Sequence, residues 1–206
     1  DLIQLKKSLN TYSTLSKTAF EIIGDHEWPN HVGIYVWAIQ MSIKLKIPYI
    51  FFGESPGYIG QGRMDKIKSY EFVDRDWIEE HSGMAGLRLD DILDFNKSLN
   101  LDDVRPYIYP SNDILKKNKI YPYFIGHFFE WNLGDIIPLI ENLGWKKSQE
   151  KVEGTYTYHE DLDCGFMPIH HYFKYIKYGY ARATDHACSD IRHGKLSLEE
   201  GKELIL

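Results

Sequence analysis

Four polar side chains near the C-terminal end of the chain have types and a spacing that suit anion chemistry. Lys174, Tyr178, Arg182 and Asp185 follow one another at intervals of four, four and three residues. In an α-helix these intervals place the side chains on one side, and His186 lies about 100° further round the helix. Arginine and lysine bind phosphate or carboxylate groups, and imidazole exchanges a proton near neutral pH. The pattern therefore predicts an anion site, although a helix with a solvated charged face explains the same spacing.

The element that must position these side chains is predicted to be one unbroken helix from Met167 to Gly194. Pro168 suits its first turn, and Gly194 suits the residue just past its end. Apolar residues recur every three or four positions and predict a continuous apolar stripe along this helix. The stripe consists of Ile169, Phe173, Ile176, Tyr180, Ala183, Ala187 and Ile191.

Two apolar runs, Ile47–Phe52 and Tyr121–Phe129, predict strands of a parallel sheet that are buried on both faces. Ligands of parallel sheets bind beyond the carboxyl ends of the strands. Gly53 and Glu54 directly follow the first strand, so we expect them at the binding edge. A carboxylate at the tip of a buried strand could hold Mg²⁺ or a ribose hydroxyl. A solvated loop carboxylate is the other interpretation of Glu54.

A helix predicted over Asn30–Lys46 offers a second candidate site for anions. Free backbone amides at the start of a helix bind anions, which makes Asn30 and His31 candidate binding residues. A simple helix cap, formed by Asn30 or Asp25, explains the same residues. Helices and apolar runs in this order predict an α/β fold, with a partial parallel sheet and flanking helices.

Length and composition limit the class of protein. At 206 residues the chain is predicted to be a single domain, with residues 62–104 as a helical insertion or lid. A formal net charge of −6 argues against a nucleic-acid partner, and no apolar run approaches the roughly 20 residues that span a bilayer. Cys164 and Cys188 favour a reducing compartment, so we expect a cytoplasmic protein. Their spacing matches no zinc pattern, so no metal site with these ligands is predicted.

Five segments carry a resemblance to a known family. They are WPNHVGI (28–34), IPYIFFGE (47–54), RPYIYPS (105–111), YFIGHFFEW (123–131) and KYGYARATDHACSDIRHGKLS (177–197). In this order they resemble the N-acetyl sugar amidotransferases, a branch of the PP-loop ATP-pyrophosphatase superfamily in bacterial surface-polysaccharide pathways. The RATDHA signature at Arg182–Ala187 is the most specific of these similarities.

The resemblance implies an adenine-nucleotide-hydrolase-like (Rossmann-like) sheet and an enzyme of lipopolysaccharide or O-antigen biosynthesis. Such an enzyme converts the acetamido group of an N-acetylated, nucleotide-linked or free sugar into an acetamidino group. It uses ATP with Mg²⁺, and ammonia from a separate glutaminase subunit. In that chemistry Arg182 and Lys174 would contact a phosphate or a sugar carboxylate, with Tyr178 beside them. Asp185 and His186 would deprotonate ammonium or orient a hydroxyl.

Members of this family also carry an SGGxDS-type pyrophosphate loop, which these 206 residues do not contain. We therefore expect the chain to correspond to the C-terminal part of such an amidotransferase. A different class of function remains open: a non-catalytic module that binds a nucleotide sugar or docks a glutaminase. Another PP-loop chemistry, such as tRNA thiolation, is less favoured because the chain is acidic and poor in cysteine.

Overall fold

The computed structural model describes residues 2–53, 73, 75–81, 84–129, 132–162 and 164–205. These residues form two compact units, one up to residue 129 and the other from residue 132 onward. Two compact units can still fold as one cooperative domain. The expectation of a single domain therefore stays a prediction.

Short helices make up most of the first unit. In chain order its described elements are α1 Leu9–Ile23, α2 Trp28–Leu45, β1 Tyr49–Phe52, α3 Arg75–His81, α4 Leu89–Phe95, α5 Leu101–Val104, α6 Asn112–Asn118 and β2 Tyr121–Phe124. The second unit contains α7 Leu133–Asn142, α8 Met167–Tyr178, α9 Arg182–Arg192 and α10 Leu198–Ile205. Among the described helices, none has the length and apolar character needed to cross a membrane.

The two strands form a small parallel sheet in the first unit. Tyr49 lies opposite Tyr121, and Phe52 lies opposite Phe124. Both strands begin close to where the apolar runs predicted them, but each ends after four residues. A helix-rich unit around a parallel sheet confirms the predicted α/β class.

One face of this sheet is buried and the other is exposed. Phe52 and Phe124 point into the core, where the Tyr35 ring of α2 lies 5.0 Å and 6.3 Å from their ring centres. Tyr49 and Phe51 point the other way and are 57% and 59% exposed. The prediction that β1 is buried on both faces is therefore wrong. Within the described residues, α2 covers only one side of the strand.

The described part of the predicted insertion, residues 62–104, contributes to the core of the first unit. Trp77 of α3 and Ile92 of α4 are buried, and the Trp77 ring lies 4.9 Å from that of Phe124. Burial of this kind stabilises the unit through the hydrophobic effect. Whether the segment acts as a lid stays a prediction.

The predicted long helix in the second unit is broken into α8 and α9, so the expectation of one helix is wrong. Gly179 takes a left-handed conformation with φ of 76°, and its N–H donates to the Tyr175 carbonyl oxygen at 2.8 Å. Glycine adopts this conformation without steric cost and so ends helices. The apolar stripe is interrupted as well, because Ile169 and Ile176 of α8 are largely exposed.

The last two helices, α9 and α10, pack against each other at a glycine. Gly201 of α10 faces Ile191 and Ala187 of α9, and a Cβ atom at position 201 would lie 2.7 Å from the Ile191 Cδ1. A capping box begins α10, since the Ser197 N–H donates to the Glu200 carboxylate at 2.8 Å. The close approach of the two helices therefore requires a residue without a side chain at position 201.

Replacing Gly201 by valine is expected to destabilise the second unit by about 1–3 kcal/mol, because the added methyl groups overfill the contact with Ile191. Gly33→Val in α2 is the matched control, since a Cβ at Gly33 meets nothing within 4 Å. Valine is a slightly better helix former than glycine, so this control should be close to neutral. Urea unfolding followed by circular dichroism measures both. Equal losses in the two variants would contradict the packing argument.

Candidate functional site

Arg182, the first residue of α9, is held by a carboxylate from the loop that precedes α8. Its Nε donates to the Glu160 Oε2 at 2.6 Å, and the two side chains are only 19% and 13% exposed. The helix begins here because Ala181 has an extended backbone and acts as the N-cap residue. Within the described part of the chain, no hydrogen bond uses the two terminal nitrogens of Arg182. The guanidinium is thus fixed at one edge and open at the other.

His186 lies one turn further along α9 and contacts the same carboxylate. Its Nε2 is 2.9 Å from the Glu160 Oε2, a close contact whose angle departs from that of a straight hydrogen bond. Its Nδ1 lies 2.7 Å from the Thr155 Oγ1, and the side chain is only 2% exposed. Thr155, His186, Glu160 and Arg182 therefore form one continuous polar chain, which we call the Glu160 cluster.

The charge state of the Glu160 cluster follows from its contacts. Burial on its own would raise the pKa of the Glu160 carboxyl, but hydrogen bonding with His186 and the positive charge of Arg182 lower it from 4.5 to about 2. Burial lowers the pKa of His159, whose ring lies 6.1 Å from that of His186. At neutral pH, Glu160 is therefore a carboxylate and His159 a neutral imidazole.

Lys174 and Asp185 form a second ion pair, between α8 and α9. The Lys174 Nζ donates to the Asp185 Oδ2 at 2.5 Å and lies 4.8 Å from the centre of the Tyr180 ring. The Asp185 side chain is largely buried. The Tyr178 ring, in contrast, is on the surface beside the Lys177 ammonium. The four residues predicted to share one helix face are therefore divided between two helices. One salt bridge joins these helices across the break at Gly179.

A third pair links α8 to the same loop. The His171 Nε2 lies 2.8 Å from the Asp161 Oδ2, and both side chains are nearly buried. Asp161 has a φ of 54°, a left-handed conformation that costs energy for a residue with a side chain. The adjacent residues Glu160 and Asp161 thus hold one helix each: Glu160 binds α9 and Asp161 binds α8.

The remaining candidate residues belong to the first unit or lie outside the described residues. Asn30 is the third residue of α2, and its amide binds Lys7, Tyr12 and Glu27 at 2.6–2.8 Å. The residue at the N-cap position is Glu27, which makes no capping bond, so the expectation that Asn30 or Asp25 caps this helix is wrong.

His31 follows Asn30 in the first turn of α2, and Gly53 is exposed at the carboxyl end of β1. Glu54 lies outside the described residues. The expectation that Glu54 lies at the binding edge of the sheet therefore stays a prediction.

The described residues offer no cluster of three or more His, Cys, Asp or Glu side chains arranged for metal binding. Cys164 and Cys188 are both free thiols. Glu160, Asp161 and Asp185 of the second unit instead face cations or imidazoles.

Sequence analysis missed four residues that the structure places in these networks: Thr155, Glu160, Asp161 and His171. They are separated from their partners by 10 to 31 residues, so helix periodicity carries no information about them. A signal was present in the run His159-Glu160-Asp161, which joins an imidazole to two carboxylates just before a helix rich in histidine. Such runs are common on surfaces, and burial is what distinguishes this one.

Residues 153–206 match the model of a protein family described as LPS biosynthesis protein WbpG-like, C-terminal domain. No curated protein matches the chain. The matched residues contain the Arg182–Glu160, Lys174–Asp185 and His171–Asp161 pairs described above, since these involve only residues 160–186. The match indicates a role in lipopolysaccharide biosynthesis and supports the lipopolysaccharide sugar pathways named by the resemblance.

Acid is expected to remove a stabilising contribution from Glu160. Its pKa is lower in the folded chain than in the unfolded chain, so stability is gained above pH 4.5 and lost as the pH falls toward 2. The contribution is on the order of 3 kcal/mol. Glu160→Gln should therefore be much less stable than the wild type near pH 7, and the difference should shrink on acidification.

Urea unfolding measured at a series of pH values tests this expectation. Glu199→Gln is the control, because Glu199 is 77% exposed and makes a surface pair with Lys202 that is worth little. A Glu160→Gln variant that differs from the wild type by the same amount at all pH values would contradict the assigned charge state.

Proposed function

We propose that the chain takes part in the ATP-dependent conversion of a sugar acetamido group into an acetamidino group during lipopolysaccharide biosynthesis. The observation that carries this proposal is the Glu160 cluster, a buried set of charged and titratable groups within the residues that match the WbpG-like family. Buried groups of this kind, with a strongly shifted pKa, are concentrated at functional sites. The resemblance to the N-acetyl sugar amidotransferases supplies the reaction.

The chemistry requires a fixed cation and a base. The oxygen of an amide is a poor leaving group, so ammonia cannot displace it until it is activated. ATP supplies the activation by transferring its adenylyl group to that oxygen, with release of pyrophosphate, and the oxygen then departs with AMP. Negative charge develops on the phosphate during the transfer, and a preorganised cation stabilises it. Ammonia must also lose a proton once it has attacked, which requires a base.

Arg182 suits the role of the fixed cation. Glu160 holds its Nε edge, so the opposite edge presents two nitrogens in the fork geometry that binds a phosphate or a carboxylate. Lys174 is held by Asp185 in a comparable way and adds a second positive charge near the same helix break. The exposed ring of Tyr178 offers a surface for the apolar face of a sugar.

Magnesium does not fit the described carboxylates of this region. Glu160 and Asp185 already bind cations at 2.6 Å and 2.5 Å, which leaves them poorly suited to a metal that demands near-octahedral oxygen ligands. Glu54, beyond the end of β1, is kept as the proposed ligand. Glu54 lies outside the described residues, so the metal has no assigned step in the mechanism.

The proposal includes two partners and a location. A glutaminase subunit would supply ammonia, and the sugar would be an N-acetylated sugar or its nucleotide derivative. Because the reaction consumes ATP, we propose that it takes place in the cytoplasm. The acidic net charge of −6 is in keeping with a small-molecule substrate rather than a nucleic acid.

A second candidate function is a non-catalytic docking or sugar-binding module. It is favoured by the exposed apolar side chains of α8, where Tyr172, Tyr175 and Ile176 are each more than half exposed. Large exposed apolar patches mark interaction surfaces. Titration calorimetry separates the two functions: sugar binding without ATP binding would favour the module.

Arg182→Gln is expected to lower the rate of amidine formation by about 100-fold, because it removes a donor that stabilises developing charge. The assay combines the protein with ATP, Mg²⁺, ammonium chloride and a UDP-linked acetamido sugar. Mass spectrometry then detects the replacement of the acetamido oxygen by NH. Free ammonium removes the need for the glutaminase, so the result does not depend on that subunit.

Arg192→Gln is the matched control, since Arg192 is exposed in the last turn of the same helix. We expect it to leave the rate unchanged. Circular dichroism confirms that each variant is folded, which matters because Arg182 neutralises a buried carboxylate. A folded Arg182→Gln protein with the wild-type rate would contradict the role given to Arg182.

A further inference from the structure

His186 has the right chemistry for a base but cannot reach a substrate itself. Its side chain is 2% exposed, and its two ring nitrogens face Glu160 and Thr155. The edge of the Tyr156 ring covers it from another side, with ring centres 6.1 Å apart. Any proton that His186 exchanges with a bound molecule must therefore pass through one of its neighbours.

The position of the ring proton follows from the charge of Glu160. A carboxylate oxygen only accepts hydrogen bonds, and it lies 2.9 Å from the His186 Nε2, so the tautomer with its proton on Nε2 avoids placing two lone pairs against each other. Nδ1 then has a free lone pair and accepts a hydrogen bond from the Thr155 hydroxyl at 2.7 Å. Arg182 keeps Glu160 ionised and so maintains this arrangement.

This sequence of hydroxyl, imidazole and carboxylate has the roles of a catalytic triad: the base activates the hydroxyl, and the carboxylate orients the base. Thr155 is the hydroxyl end, and it is half-buried where His186 is fully buried. Its oxygen keeps lone pairs after donating to Nδ1, so it can accept a proton from a bound molecule.

We propose that Thr155 is the catalytic residue through which His186 acts as a base, by relaying a proton from the attacking ammonia to the His186 Nδ1. The identity of the nucleophile rests on the proposed function. The nitrogen lone pair forms the bond to the activated carbon, and the bond from that carbon to the activated oxygen breaks with its electrons. One N–H proton moves to the Thr155 Oγ1 while the hydroxyl proton moves to Nδ1. The products are a neutral amidine, the departed group and an imidazolium paired with Glu160.

The groups around the relay are consistent with this direction of proton transfer. Glu160 stabilises the imidazolium. Asp190, on the same helix as His186, adds negative charge and accepts a hydrogen bond from Tyr156 at 2.7 Å. Arg182, Lys195 and the neutral His159 are the other titratable groups near the pair. His159 is a competing base, and its replacement is therefore part of the test.

The experiment compares four substitutions, including His159→Phe, in the amidine assay with ATP, Mg²⁺, ammonium chloride and a UDP-linked acetamido sugar. Thr155→Val keeps the shape of the side chain but removes the hydroxyl, and it should lower kcat by about 100-fold with little change in KM. Thr155→Ser keeps the hydroxyl and should retain most of the activity. Thr157→Val is the control, because the Thr157 hydroxyl is buried without a hydrogen-bond partner among the described residues.

Nitrogen NMR of the imidazole rings tests the relay without any turnover. The wild-type protein should show His186 with its proton on Nε2, and Thr155→Val should shift the Nδ1 resonance selectively. A proton on Nδ1 in the wild type would overturn the relay. So would an active wild type whose Thr155→Val variant keeps its kcat, or a loss of activity reproduced by His159→Phe alone.

The two proposals fail in different ways. A wild-type protein that forms no amidine contradicts the proposed function and, with it, the role of Thr155 toward ammonia. Amidine formation that continues at the wild-type rate in the Thr155→Val variant contradicts the proton relay but not the proposed function.

Discussion

The second unit depends on one buried carboxylate. Glu160 is 13% exposed, and a carboxylate in such surroundings is costly unless cations or donors surround it. Arg182 and His186 meet this requirement from two successive turns of α9, which fixes the start of that helix against the preceding loop. The arrangement serves packing and chemistry together. The contacts that make burial of Glu160 tolerable also hold a guanidinium and an imidazole in defined orientations.

Sequence patterns predicted the elements of local origin and failed where a single residue overrode a pattern. The starts of β1 and β2 and the helix after Trp28 all depend on neighbours within a few residues. The prediction of an unbroken helix was wrong because Ile176 and Tyr180 preserve the apolar spacing across Gly179, while Gly179 itself leaves the helical conformation. Hydrophobic periodicity indicates which side of a helix a residue faces, but it does not indicate where the helix ends.

The candidate site was predicted only in part, for a related reason. The periodicity and the resemblance identified Lys174, Arg182, Asp185 and His186, and the structure places all four in ion pairs or hydrogen bonds. Their partners Glu160 and Thr155 were missed, because a contact across 22 or 31 residues depends on how the chain folds back. What a charged residue does depends on such partners, so composition alone could not assign the roles.

The left-handed backbone at Asp161 has a consequence for how the loop before α8 can vary. Surface loops ordinarily accept insertions and deletions at small cost. Here two consecutive residues aim their carboxylates at different helices, so adding or removing one residue would point each acid at the wrong imidazole. Both carboxylates would then be buried without their partners. The length of this loop is therefore constrained as tightly as the spacing of residues within a helix.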